Sequence, residues 1–142
     1  MKKILFLFAV IALSTQISFA QETCEQLPDV CAKMMENSDG SIFVSDGQTY
    51  QTMLDGEPAE FETTFYGGTT YRVASSAGSG DNYVIFTVYN QNGDVLFTNE
   101  KYENTPYWDF QVTSTIPVRI EAKLDENKKI SGCLVLMIGF KK

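Results

Sequence analysis

Apolar and polar side chains alternate with a period of two over much of the chain, and this alternation constrains the fold most. From Ile116 to Leu124 every second residue is apolar, and the residues between them are proline or charged. Successive side chains of a strand point to opposite faces of a sheet, so the segment predicts a strand with one buried and one hydrated face. Pro117 has no N–H for a ladder and is expected at a strand start or on an edge strand.

Residues 83–97 predict a β-hairpin. A run rich in β-branched and aromatic residues ends at Tyr89, the turn-forming sequence 90–94 follows, and Val-Leu-Phe returns at 95–97. Two more strands are expected on either side of the glycine pair at 67–68. The last apolar run, 133–138, shows no alternation, which is typical of a central strand that is buried on both faces.

One short helix is expected before the strands. Pro28 suits a first helical position, and the sequence Ser-Asp-Gly at 38–40 ends the run. The apolar residues between them recur with helical spacing: Leu27, Val30, Cys31, Met34 and Met35.

These elements predict an all-β fold, an antiparallel β-sandwich of jelly-roll type with one short N-terminal helix. Strands separated by turns, without alternating helices, favour a sandwich over βαβ units. A small β-barrel remains the alternative, because strand number alone does not distinguish the two. The 142 residues suffice for one domain, which we place at 42–142 after an N-terminal segment at 21–41.

Residues 1–20 have the features of a cleaved signal peptide. Lys2 and Lys3 precede an apolar run at 4–13, and Ser-Phe-Ala at 18–20 has the small residues of a cleavage site. The run is shorter than the roughly 20 residues that cross a bilayer, and no later segment predicts a transmembrane helix. We therefore expect an exported protein, periplasmic or extracellular, that starts at Gln21.

Composition excludes several classes of function. The chain has no histidine, which removes the histidine-based nucleophile and acid/base templates and the usual zinc sites. Its formal net charge of −7 disfavours nucleic acid as a partner. We expect no cofactor, no metal site and no catalytic residue.

Three cysteines, Cys24, Cys31 and Cys133, allow one intramolecular disulfide and leave one thiol. Because Pro28 places the helix start after Cys24, Cys31 should face the core, where the last strand runs. This reasoning predicts a bond between Cys31 and Cys133, with Cys24 free. Their spacing matches no metal template, so we expect structural roles.

Two clusters of acidic or amide residues could be interpreted as a calcium site and a catalytic site, but each has a simpler interpretation. Asn90, Asn92 and Asp94 share the alternate spacing of a calcium loop, but its twelfth position is Lys101, so a hairpin turn is favoured. A second group could be imagined as a glycosidase pair, although a hydrated acidic face explains it better. That group comprises Asp55, Glu57, Glu60 and Glu62.

An aromatic cluster is the candidate ligand site. Tyr102, Tyr107 and Asp109 could bind a sugar, with rings stacking on its apolar face and Asp109, helped by Asn104, bonding its hydroxyls. The competing interpretation is a strand in which Trp108, Phe110 and Val112 face the core while Tyr107, Asp109 and Gln111 face out. We favour a core position for Trp108.

The chain from about Glu60 to the C-terminus resembles the bacterial pre-peptidase C-terminal domain. The resemblance rests on the strand 61–65, the Gly-x-x-Tyr turn at 68–71, the hairpin 86–97 and Ile120. It implies a small, non-catalytic β-sandwich of exported proteins. The whole chain is also similar to small exported bacterial proteins, which implies no activity.

The sequence therefore predicts an exported, non-catalytic module that binds a polysaccharide or an envelope or secreted protein. A carboxylate-dependent hydrolase and a structural partner that donates or accepts a strand are the alternatives. A polar cleft holding a carboxylic acid of raised pKa would favour the hydrolase.

Overall fold

A computed structural model describes residues 24–78 and 82–142 of the chain. The signal peptide and the start at Gln21 lie outside these residues and stay predictions. Within them the helix is α1 (Leu27–Met34) and a 3₁₀ turn spans Asn99–Tyr102. The strands are β1 (Phe43–Asp55), β2 (Ala59–Phe65), β3 (Thr69–Ser76), β4 (Val84–Tyr89), β5 (Val95–Thr98), β6 (Tyr107–Val112), β7 (Ile116–Leu124) and β8 (Ser131–Lys141).

The strands form two four-stranded sheets. The first sheet has the order β1-β8-β3-β6 and the second β2-β7-β4-β5. Every neighbouring pair is antiparallel. This order is that of a jelly roll, which confirms the predicted sandwich, and the two separate sheets exclude the barrel alternative. No helix in the described part of the chain is long and apolar enough to cross a membrane.

The main core lies between the sheets and follows the predicted alternation. In β7, Val118, Ile120, Ala122 and Leu124 are buried. Pro117 is the second residue of this strand, which lies between β2 and β4, so the proline marks a strand start and not an edge. β8 is buried on both faces and lies between β1 and β3, as its unbroken apolar run predicted.

The helix α1 covers the outer face of the first sheet. Alternate residues of β8 form a second apolar cluster with the helix. The cluster contains Leu27, Cys31, Met35, Phe43, Ala74, Cys133, Val135 and Met137. One outer face of the sandwich is thus buried, whereas no described helix covers the outer face of the second sheet.

The disulfide joins Cys24 to Cys133, so the predicted Cys31–Cys133 bond is wrong. Cys31 does face β8, as expected, but its thiol lies 3.7 Å from the carbonyl oxygen of Val135, two residues beyond Cys133. Two residues of a strand span about 6.5 Å, which is too far for the thiol of Cys31 to bond with that of Cys133. Cys24 lies seven residues earlier, just before α1, with its Cα 5.5 Å from that of Cys133. Cys31 is the free thiol, and burial raises its pKa to about 12.

Aromatic rings close both open sides of the sandwich. Tyr50 of β1 packs on Phe61 of β2, with ring centroids 4.6 Å apart. On the opposite side, Phe97, Tyr102, Trp108 and Phe110 form what we call the side cluster. Trp108 packs against the main core and is partly buried, while Asp109 and Gln111 are exposed. The predicted register of β6 is therefore confirmed.

Candidate functional site

The three predicted ligand residues lie at two different places. Tyr107 and Asp109 share the outer face of the first sheet, because they are two residues apart on β6. Tyr102 belongs to the side cluster and packs on Trp108, whose side chain points to the opposite face of β6. The structure therefore brings together only two of the three residues, and their ligand role stays a prediction.

Tyr107 and Asp109 surround a buried arginine, Arg72 of β3. Its Nε and Nη2 donate to the two carboxylate oxygens of Asp109 at 2.6 and 2.8 Å. The guanidinium carbon lies 4.2 Å from the ring centroid of Phe43 and 4.4 Å from that of Tyr107. The hydrogen bonds to Asp109 raise the pKa of Arg72, so its charge is permanent.

The arginine also fixes the helix. Nη1 of Arg72 donates to the carbonyl oxygen of Met34, the last residue of α1, at 2.7 Å. A cation near a helix C-terminus is favourable because the last carbonyls have no partner within the helix. Sequence reasoning missed this role, although a charged residue between Tyr71 and Val73 of a predicted strand could have suggested a buried ion pair.

Two buried asparagines hold the loops at one end of the sandwich. Asn99 is fully buried, accepts from the amide of Phe86 at 2.8 Å and donates to the carbonyl oxygens of Val84 and Thr105 at 2.9 and 3.0 Å. The amide of Asn104 donates to Asn82 and Asp125. These side chains are committed to structure, so Asn104 does not present its amide to a sugar.

The outer face of the second sheet is open and polar. At its centre, Arg119 donates to Glu60 at 2.8 Å, lies 3.7 Å from Glu121 and stacks on the ring of Tyr89 at 4.2 Å. A groove of about 480 Å³ runs beside it. Its described lining is Glu62, Thr63, Thr64, Asn90, Gln91, Pro117, Val118 and Arg119.

This groove can form hydrogen bonds but lacks the pair of acids that glycoside hydrolysis needs. Glu62 is the one carboxylate among its described lining residues. Canonical glycosidases place two carboxyl groups about 5 to 10 Å apart on either side of the bond that is cleaved. Glu60, the nearest second candidate on β2, is bound to Arg119. A hydrogen-bonding surface is therefore the better description.

The amide sequence at 90–94 forms the predicted hairpin turn between β4 and β5. The Oδ1 atom of Asn90 accepts from the amides of Asn92 and Asp94, each at 2.9 Å, and its Nδ2 donates to the Asp94 carboxylate at 3.0 Å. The side chains thus bind one another and the turn backbone. Over the described ranges, no group of three or more acidic or cysteine residues could hold a metal ion.

A second cavity, of about 310 Å³, lies where α1 meets the end of β3. Val30 and Met34 of the helix line it together with Ser75, Ser76 and Ala77. Its surface is largely apolar, and Tyr83 is the one titratable side chain among its described lining residues.

Comparison with known proteins places the fold but not the function. No protein-family model matches the chain, and no curated protein does. Among solved structures it is similar to PliG of Aeromonas hydrophila, a periplasmic lysozyme inhibitor of g-type lysozyme. The two are 11% identical with a TM-score of 0.53, over 75% of this chain and 92% of that chain. At this identity the likeness shows a shared fold, and the resemblance to the pre-peptidase domain stays a prediction.

Proposed function

We propose that the protein is an exported, non-catalytic binding protein whose partner is another protein of the envelope or the extracellular space. The likeness to PliG supports this proposal, because a sandwich of this kind there serves as an inhibitor of an enzyme. A fold by itself implies no ligand, so the argument depends on the surface.

The packing of the candidate aromatic rings against other side chains is the observation that carries the proposal. A sugar platform needs an open ring face, and one face of Tyr107 is already covered by Arg72 and one face of Tyr89 by Arg119. Trp108 is stacked on Phe97. The polar face of the second sheet and the strand edges are exposed as well, and polypeptides use such surfaces.

Glycan binding is the second candidate, favoured by the polar groove beside Arg119. Hydroxyl, amide and carboxylate groups line it, as in sites for neutral sugars. A protein partner is favoured over a glycan because the groove lacks a free aromatic ring among its described lining residues.

Co-purification under native conditions tests the proposal. The protein, with its disulfide intact, is immobilised and exposed to exported proteins of its own organism, and separately mixed with insoluble cell-wall polysaccharides. We expect one protein to be retained at a fixed stoichiometry and the polysaccharides to leave the protein in solution. A g-type lysozyme is the first purified partner to assay. Sedimentation with a polysaccharide, without any retained protein, would favour glycan binding instead.

A further inference from the structure

Four strands have a free edge, and three of them carry features that prevent pairing with another strand. β5 has four residues and a register irregularity opposite Val88 and Tyr89. β2 follows Pro58 and exposes Glu60 and Glu62. β6 follows Pro106 and carries Asp109. Short length, irregular pairing, proline and charge are the devices by which natural sheets protect their edges.

The second half of β1 has none of these devices. Residues 49–54, Thr-Tyr-Gln-Thr-Met-Leu, contain no charge, proline or glycine. They pair with β8 in an unbroken register, since the irregularity of β1 lies between Ser45 and Thr49. On an antiparallel edge strand, alternate residues direct their N–H and C=O groups away from the sheet. Within the described residues, this segment is thus a regular edge whose outward backbone groups pair with no other strand.

Tyr50 anchors the segment on the core side, and its outer face is exposed to solvent. Tyr50 packs on Phe61, and its hydroxyl donates to the side chain of Gln48. The residues that point outward are exposed, and Met53 is exposed to 68%. One weak side-chain bond, from the hydroxyl of Thr52 to the carbonyl oxygen of Met53 at 3.4 Å, lies within the segment. Little rearrangement is therefore needed before another strand can pair.

Acidic residues mark both ends of the segment. Asp46 precedes it and Asp55 ends it, with eight uncharged residues between them. Asp46 is exposed, yet its neighbours remove part of its hydration, which raises the pKa of the carboxyl. A cation placed beside it would offset that cost.

The same charges argue against a second copy of the chain as the occupant. Symmetric antiparallel pairing of residues 46–55 would place Asp46 of each chain opposite Asp55 of the other. Like charges directly opposite one another are destabilising in a sheet, and each chain has a formal net charge of −7. A partner with cations at these two positions has the complementary pattern.

We propose that residues 49–54 of β1 accept an extended segment of a partner protein by strand addition, an uncharged stretch of about eight residues with Lys or Arg at each end. This proposal rests on the proposed function, in that it presumes a protein partner. It locates that partner at the edge of the first sheet and not in the groove of the second. Backbone hydrogen bonds supply the affinity, and Asp46 and Asp55 select the ends of the segment.

A labelled peptide with alternating Thr and Val between terminal lysine pairs is the probe, and fluorescence anisotropy measures its binding. We expect saturable binding that is lost when alternate amides of the peptide are N-methylated, because N-methylation removes the donors of the ladder. Hydrogen exchange should slow at residues 49–54 in the complex. No binding of the unmethylated peptide at millimolar concentration, or equal binding of the methylated one, would overturn the proposal.

Charge-matched variants separate the edge from the groove. Asp46→Asn with Asp55→Asn removes two charges and keeps an acceptor for the amide of Gln48. Glu62→Gln with Glu100→Gln removes the same charge elsewhere. We expect the first pair to weaken peptide binding on the order of three- to thirty-fold, as for two exposed ion pairs, and the second by less than two-fold.

Hydrogen exchange with the natural partner distinguishes failure of this proposal from failure of the proposed function. If a protein partner binds but protects residues 62–64 and 117–119, the edge proposal is wrong and the function holds. If self-association protects residues 49–54, the occupant is a second copy and the proposal is equally wrong. If only polysaccharide binds, the proposed function itself fails.

Discussion

Removing the carboxylate of Asp109 should destabilise the protein by leaving the buried charge of Arg72 without its main partner. Arg72 is 4% exposed, and three of its donors are used, two by Asp109 and one by Met34. Breaking a fully buried ion pair costs about 3 to 5 kcal/mol, and a hydrogen bond to a charged group about 1.5 to 3 kcal/mol. The side chain of Asp109 is 40% exposed, so water can enter after its removal. We therefore expect Asp109→Ala to cost about 2 kcal/mol.

Urea denaturation followed by far-UV circular dichroism measures this cost. With a typical slope of about 1 to 3 kcal/mol per molar urea, the midpoint should fall by roughly 1 M. Asp55→Ala is the control, since Asp55 is an exposed acid with no side-chain partner among the described residues, and its midpoint should stay unchanged. Arg72→Met should make the further change Asp109→Ala nearly neutral, because Met can fill the space between Phe43 and Tyr107 without a charge to compensate.

Equal midpoints for Asp109→Ala and Asp55→Ala would refute the reasoning. Such a result would mean that water or the two aromatic rings satisfy the guanidinium as well as the carboxylate does. A cost that persists in the Arg72→Met background would also refute it, because the loss would then come from β6 itself and not from the ion pair.

Three further predictions concern the side cluster and the cysteines. Trp108→Ala should cost about 2 to 4 kcal/mol, somewhat less than a fully buried tryptophan, and thermal melting would show it; a normal melt would contradict the core role of Trp108. Because the pKa of Cys31 is about 12, its thiol should resist iodoacetamide at pH 8 in the folded protein and react after unfolding, and fast labelling of the native protein would contradict its burial. Non-reducing peptide mapping should recover Cys24 linked to Cys133, a bond that spans 109 residues. Reduction of this bond should lower the unfolding free energy by about 4 to 5 kcal/mol in the chain-entropy model. A peptide linked through Cys31 would contradict the pairing.

Features that depend on local pattern could be predicted from the sequence. The alternation in β7, the turn chemistry at 90–94 and the unbroken apolar run of β8 each reflect the period of a strand and its burial. They were sufficient for the sandwich, and the alternation within β6 itself was sufficient for the register of that strand. Pro117 was ambiguous only because a strand start and an edge strand both tolerate a missing N–H.

Features that depend on the register between distant segments could not be predicted from the sequence. Cys24 contacts β8 at Cys133, and Cys31 contacts it at Val135, two strand residues further on. This shift of two residues decides which cysteine meets Cys133. Arg72 was missed because its partners come from a strand 37 residues later and from the end of α1. The predicted ligand site was divided for a similar reason. Tyr102 packs on Trp108, and the side chains of Tyr107 and Trp108 point to opposite faces of β6.

The position of β8 has a consequence for the order in which the protein can form. It is the last of the eight described strands along the chain, yet it lies between β1 and β3. Neither of these strands can pair with β8 until residues 131–141 have been synthesised and are free to fold. Until then Cys24 and Cys31, only seven residues apart, are the two thiols available to each other. Assembly of the native protein therefore depends on keeping these early thiols apart, or reshuffling them, until Cys133 arrives.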